Sequence, residues 1–209
     1  MEKEKLFNFL YKILELNFAY AFIQFVGRPT VQVFKKHISQ IPKEPNKTYL
    51  DVGCGIGGYR SLFPNNYTGI DINQSYIDYA KHTYPGDFFV MDCTNLKFPD
   101  STFDHVVTVA TSHHLNPQDL ILMLSEALRV LKDDGHLHII DAVLPRSKFS
   151  WGKILWFKLD RGGHPRTLQA LCKLVKKRGC ITSKITLRSA LHETCYLQIS
   201  SSKANNKKR

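Results

Sequence analysis

Between Leu50 and Gly58 the chain reads LDVGCGIGG. Gly53, Gly55 and Gly58 satisfy G-x-G-x-x-G, and a glycine-rich turn between a strand and a helix lets a ligand lie against bare backbone. Dinucleotides and other nucleoside cofactors both use such turns, so the spacing alone leaves the ligand open. Asp51, just before the first glycine, could face a cationic ammonium group, which favours a cationic cofactor. Further along, His113 and His114 are bases available near neutral pH. One or both could instead do no more than hydrogen-bond the neighbouring loop. In the run DRGGHPR, Arg161, His164 and Arg166 share one glycine-rich loop, and arginine forks match carboxylate or phosphate. A structural role for that loop is equally open. His136 and His138 share one face of a strand by alternation, but no third ligand accompanies them, so no metal is expected.

The elements that must position these residues are short and alternate. Apolar or β-branched runs occur at Tyr49 to Val52, Tyr67 to Ile72, Asp87 to Met91, Phe103 to Val109 and His136 to Asp141. Helical segments lie between them, at Asn73 to Thr83 with Asn73 as cap, and at Pro117 to Leu131. The run Lys132-Asp133-Asp134-Gly135 is expected to end the latter and turn into the next strand. Such alternation implies an α/β domain, a parallel sheet with helices on both faces. Ile181 to Leu187 and Thr194 to Ile199 are too close for a crossover and imply an antiparallel hairpin at the sheet edge. His113 and His114 then fall at the carboxyl end of the fourth strand, where open α/β sheets present ligands. Leu168, Leu171, Leu174 and Val175 predict a helix whose Lys173, Lys176, Lys177 and Arg178 face solvent.

The 209 residues are 43% hydrophobic and 22% charged, which fits one globular domain and excludes collagen-like or wholly disordered chains. Five cysteines, odd in number and without C-x-x-C, imply a reducing, cytoplasmic setting. The net charge of +11 is uneven: residues 145 to 209 hold sixteen Lys and Arg against Asp160 and Glu193, and the rest of the chain is slightly acidic. Anionic partners are therefore in view, whether nucleic acid, a lipid surface or an acidic small molecule. Leu6, Leu10, Ile13, Leu14, Phe18, Phe22 and Phe25 recur at helical spacing, with Asn8, Lys12, Glu15, Asn17 and Gln24 between them. This predicts an amphipathic helix and neither a cleavable signal nor a transmembrane span; surface contact with a membrane is the minor alternative. The expected organisation is an N-terminal helical lid over 1–40, a main domain over 41–200 and a basic disordered tail over 201–209.

LDVGCGIGG, then GIDIN from Gly69, MDCTNLKFPDSTFD from Met91, SHHL from Ser112 and EALRVLKDDGHLHIID from Glu126 resemble the successive motifs of class I S-adenosylmethionine-dependent methyltransferases. The nearest subgroup is the one often called type 11, with quinone and small-molecule enzymes. The resemblance implies a Rossmann-like, seven-stranded, mostly parallel sheet with an antiparallel C-terminal hairpin. It implies that Gly53, Gly55 and Gly57 bed the cofactor, S-adenosylmethionine, with Asp51 near its amino group. Asp71, followed by Ile72, would take the ribose hydroxyls, since a carboxylate offers two acceptors to a vicinal diol. Asp92 and Cys93 would sit beside the adenine, and Ala110 and Thr111 beneath the sulfonium.

Methyl transfer from a sulfonium needs alignment and, for a hydroxyl or protonated amine, removal of a proton. His114 and His113 are the candidates for that base. The expected activity is methylation of a small or lipid-like acceptor bearing an acidic group, read by Arg161, His164 and Arg166. The alternatives are RNA methylation through the basic C-terminal third, or a protein that holds S-adenosylmethionine without turning it over. SHHLNP is not the Asn-Pro-Pro-aromatic signature of amino-group methylation in nucleic acids, which weighs against the former.

Overall fold

The computed structural model describes residues 30–145, 163–188 and 193–201. The amphipathic segment Leu6 to Val26, Arg161 and residues 202–209 lie outside them. A helix, α1, covers residues 30–38. Then follow β1 (Tyr49–Val52), β2 (Tyr67–Asp71), α2 (Gln74–Thr83), β3 (Asp87–Val90), β4 (Phe103–Val109), α3 (Pro117–Val130), β5 (Leu131–Val143), α4 (Leu168–Val175), β6 (Gly179–Arg188) and β7 (Glu193–Ser201). One sheet takes all seven strands in the order β3-β2-β1-β4-β5-β7-β6. The first five pair in parallel, while β7 runs antiparallel between β5 and β6.

The order reverses beside β1: the chain runs outward through β2 to β3, then returns to place β4 on the other side of β1. At such a switch point the strand ends diverge and leave a crevice. Helix starts near it are fixed by side chains. The Asn73 carbonyl oxygen accepts from the N–H groups of Ser75 and Tyr76 to open α2, and that of Asn116 accepts from Gln118 and Asp119 to open α3.

Strand alternation gives the sheet two buried faces. Leu50, Val52, Leu137, Ile139, Leu197 and Ile199 pack against Leu120, Leu124 and Ala127 of α3 and Leu171 and Val175 of α4. Tyr49, Tyr67, Val107, Ile140 and Tyr196 face Phe34 and Ile38 of α1 and Ile77 and Ala80 of α2. Lys173 on α4 and Lys176, Lys177 and Arg178 just after it are exposed.

One expected turn is instead strand. Lys132 to Gly135 belong to β5, whose register against β4 shifts between Phe103 and His105. The extra residues bring Lys132 Nζ to 2.8 Å from Asp104, which also accepts from Lys47 and Thr48. Burial alone would push the Asp104 carboxyl up, but these hydrogen bonds outweigh it and hold it well below the usual carboxylate range. Gly135 permits the approach, because a Cβ there would stand 2.6 Å from the Asp104 carbonyl oxygen.

Toward α1 the core is polar. His37 Nε2 lies 2.9 Å from Thr194 Oγ1, and the His37 ring stacks on Tyr196. Tyr196 Oη lies 3.0 Å from His138 Nδ1, and His138 Nε2 lies 3.0 Å from His105 Nδ1. Burial lowers the pKa of all three histidines, that of His37 to about 4. In the unfolded chain His37 takes its proton near 6.5. The unfolded state therefore binds more protons between these values, and stability rises with pH across that window. Urea melts should show loss of stability as pH falls from about 6.5 toward 4, and His37→Gln should flatten the dependence.

Candidate functional site

At the carboxyl ends of β1, β2 and β4 the chain encloses a cavity of about 580 Å³. The loop after β1 forms one wall. The N–H groups of Gly53 and Cys54 both donate to the Ile70 carbonyl, at 2.8 and 2.9 Å. Gly53 has φ +76°, and a Cβ there would meet Thr111 Oγ1 at 2.5 Å, so only glycine lets this loop cross the end of β4.

Asp71 at the end of β2 joins loop and strand. Its Oδ2 accepts from Gly55 N at 3.0 Å and its Oδ1 from Asn73 N at 2.9 Å. An ionised carboxylate has about four acceptor sites, so each oxygen retains one for a diol. Asp71, Ile72, Gly53, Gly55, Asp92, Cys93 and Ala110 all line the cavity, with Ile72 72% exposed. Asp92 holds its loop by accepting from the Thr94 N–H and hydroxyl at Oδ1. Burial, then the Asp92 charge, pushes the Cys93 thiol up to about 11, so it is protonated at neutral pH. Ala110 has φ 55°, a left-handed conformation rare for a residue with a side chain and typical of places where function holds the backbone. Gly57 also has positive φ but faces Tyr84, Ala80 and Phe88, away from the cavity wall.

Asp51 is placed behind the loop, 2% exposed. Its Oδ2 accepts from Tyr67 Oη at 2.8 Å, while Oδ1 is buried without a partner among the described residues. Burial pushes its carboxyl up to about 7; the Tyr67 hydrogen bond opposes this and the Asp71 charge adds to it.

The two adjacent histidines are placed differently. His114 is exposed and lines the cavity. His113 is buried, with Nδ1 2.6 Å from Asp141 Oδ1, and its ring centroid lies 4.2 Å from that of His114. Asp141 Oδ2 also accepts from the Ser112 hydroxyl and the His113 N–H. His164 is exposed, and its backbone N–H donates to the His113 carbonyl. Arg166, expected to face an acceptor, instead donates to the carbonyls of Ser112, His164 and Leu115. Sequence reasoning missed Asp119 and Leu115 on the wall, and Asp141 beneath it. For Asp141 the available signal was a carboxylate flanked by Ile140 and Ala142 in the buried end of β5. A smaller cavity of about 200 Å³ near Glu44, His105 and His136 contains none of the glycine-loop residues. Among the described residues no group of three His, Cys, Asp or Glu is arranged to hold a metal ion.

An α/β sheet with a switch-point cavity, a glycine loop and a ribose-ready carboxylate defines a nucleoside-cofactor domain. The family described as "Methyltransferase domain" matches residues 50–139. The chain is 36% identical over 125 residues to a fatty-acid O-methyltransferase of Mycolicibacterium smegmatis, covering 56% of this chain and 44% of that protein. It is 33% identical over 159 residues to the 2-methyl-6-phytyl-1,4-hydroquinone methyltransferase of Synechocystis, covering 68% and 49%. The chain thus spans less than half the length of these relatives. A geranyl diphosphate C-methyltransferase from Streptomyces coelicolor, solved with S-adenosyl-L-homocysteine, shares the fold at TM-score 0.64 and 13% identity, covering 82% and 79%. The chain carries a class I S-adenosylmethionine-dependent methyltransferase domain.

The residues present fit that cofactor. The volume lies within the range of about 300 to 1,000 Å³ for small-molecule sites, Gly55 leaves open space where a Cβ would stand, and the unpartnered Asp51 oxygen suits a nearby cation. Cofactor binding should favour ionised Asp51, so affinity should fall as pH drops below about 7 with proton release on binding. Calorimetry in buffers of differing ionisation enthalpy reads this directly, and Asp51→Asn should weaken S-adenosylmethionine by roughly tenfold above that pH and abolish the dependence. Gly53→Ala should remove measurable cofactor binding through its clash with Thr111.

Proposed function

We propose that the chain methylates a small or lipid-like acceptor carrying an acidic group, with His114 as the base that receives the acceptor's proton. The observation that carries this is the position of His114, exposed on the cavity wall with the glycine loop and Asp71, while His113 is buried against Asp141. Bound S-adenosylmethionine supplies a methyl group already activated by the sulfonium. The chain's own residues would hold it: the glycine loop and Asp71 on the ribose side, Asp92 and Cys93 on the base side, and Ala110 and Thr111 as the floor. His114 would accept the proton at a ring nitrogen as the acceptor attacks in line, the acceptor–carbon bond forming as the sulfur–carbon bond breaks to leave S-adenosyl-L-homocysteine.

An apolar acceptor body is supported by Leu115, next to His114 on the wall. The relatives named for a fatty acid and a phytyl hydroquinone act on molecules that join a long hydrocarbon to an acidic carboxyl or phenol. Among the described residues no helix is long and apolar enough to cross a membrane. A lipid acceptor would therefore reach the described part of the chain at a membrane surface or as a free molecule.

Radiolabelled S-adenosylmethionine added with the protein to an extract of its source cells should label the lipid or small-molecule fraction. Label confined to RNA would overturn the acceptor class and favour the basic C-terminal third as the recognition surface, with steep salt dependence. No label in any fraction, with cofactor binding intact, would favour a protein that holds the cofactor without turnover. For a hydroxyl acceptor, His114→Gln should lower kcat by about 10²- to 10⁴-fold with cofactor affinity unchanged. A carboxylate acceptor arrives ionised and needs no base, so a small loss would overturn the assignment of His114 as base.

A further inference from the structure

The turn that carries His114 is a single 3-10 turn, Ser112–His114, between β4 and α3. So short a turn satisfies few of its own backbone groups, and its conformation must be held by others. Two residues far along the chain do so with opposite chemistry. Asp141, at the end of β5 and 1% exposed, takes the donors: the Ser112 hydroxyl, the His113 N–H at 3.1 Å and His113 Nδ1 at 2.6 Å. Arg166 takes the acceptors: Nη1 donates to the Ser112 carbonyl at 2.8 Å and Nη2 to that of Leu115. A third link, from His164 N to the His113 carbonyl at 2.9 Å, runs parallel to these.

We propose that Asp141 and Arg166 are positioning residues for methyl transfer, clamping the turn Ser112–Leu115 so that the His114 imidazole is held at the cavity wall. The proposal rests on His114 being the base. Neither residue lines the cavity, so each acts through the turn and not on the cofactor or acceptor. The geometry requires arginine. A planar guanidinium can donate in two directions at once to carbonyls three residues apart, whereas a lysine ammonium offers one point of charge and no fork. His113 transmits the Asp141 end of the clamp, because its ring packs directly against that of His114.

The test compares Arg166→Lys, Asp141→Asn and His114→Gln with the parent chain. Four quantities are read: affinity for S-adenosyl-L-homocysteine by calorimetry, label transfer in cell extract per cofactor-binding site, its pH profile, and the imidazole resonances of His113 and His114 with that nucleoside bound. Arg166→Lys and Asp141→Asn should keep cofactor affinity within about threefold while transfer per site falls by about ten- to a hundredfold, the scale expected of a reacting group misplaced by about 1 Å. The pH midpoint should stay, because the base is still present, and the His114 resonance should shift or broaden. At saturating cofactor, where the Asp51 dependence of binding no longer contributes, His114→Gln should instead remove the acid limb of the profile.

Transfer within twofold of the parent in both clamp variants, with His114 resonances unmoved, would overturn the clamp while leaving His114 as base. So would equal losses of transfer and cofactor affinity, which would make the two residues general supports of the cavity. Full transfer by His114→Gln would remove the base assignment and the clamp's purpose with it. Should one clamp variant fail to fold, the other reads the same quantities.

Discussion

No side chain can stand at position 53. With Thr111 so close that a Cβ would overlap its hydroxyl, the loop leaving β1 is forced against the end of β4. From that crossing the loop drops its next N–H groups onto the Ile70 carbonyl and then onto Asp71. Three strand ends are thereby tied at one point by backbone contacts, which have few alternative rotamers and little freedom to drift. The crevice of the switch point becomes a fixed wall, and the carboxylates at the ends of β2 and β3 inherit their positions from it.

Charge is distributed against the overall balance of the chain. The protein is strongly basic, yet Asp71, Asp92 and Asp119 line the cavity and Asp51 stands behind it. In a site partly shielded from water such carboxylates act on a cation more strongly than they would in solution. The elevated pKa of Asp51 fits this arrangement, since a buried carboxyl without a counter-ion resists ionisation until a cation arrives.

What the sequence revealed follows from how local each signal is. The strands Tyr49–Val52 and Phe103–Val109 stand in their apolar runs, and Asn73 and Asn116 cap helices because a short polar side chain reaches its own backbone. The glycine loop and Asp71 were legible for the same reason, with their partners one strand away. Lys132 to Gly135 looked like a turn by composition; in β5 they are the extra residues between the Leu131–Phe103 and His136–His105 pairs, held there by the contact of Lys132 with Asp104. The polar core beneath α1 was invisible, because His37, His105 and His138 come from three distant elements and only their packing unites them. Arg166 illustrates the same limit. Its loop composition suggested an anion site, whereas the carbonyls that occupy its guanidinium lie some fifty residues earlier in the chain.

The two ends of the stretch between β5 and α4 meet. Leu144 bridges Thr167 in parallel, and the Leu144 N–H donates to the Arg166 carbonyl. Because this joint closes the stretch at its base, the pairing at both ends is complete without the chain between them, and doubling the length of a closed stretch adds only about 0.6 kcal/mol of closure entropy. Changes of length between this joint and His164 therefore leave both the end of β5 and the start of α4 in place.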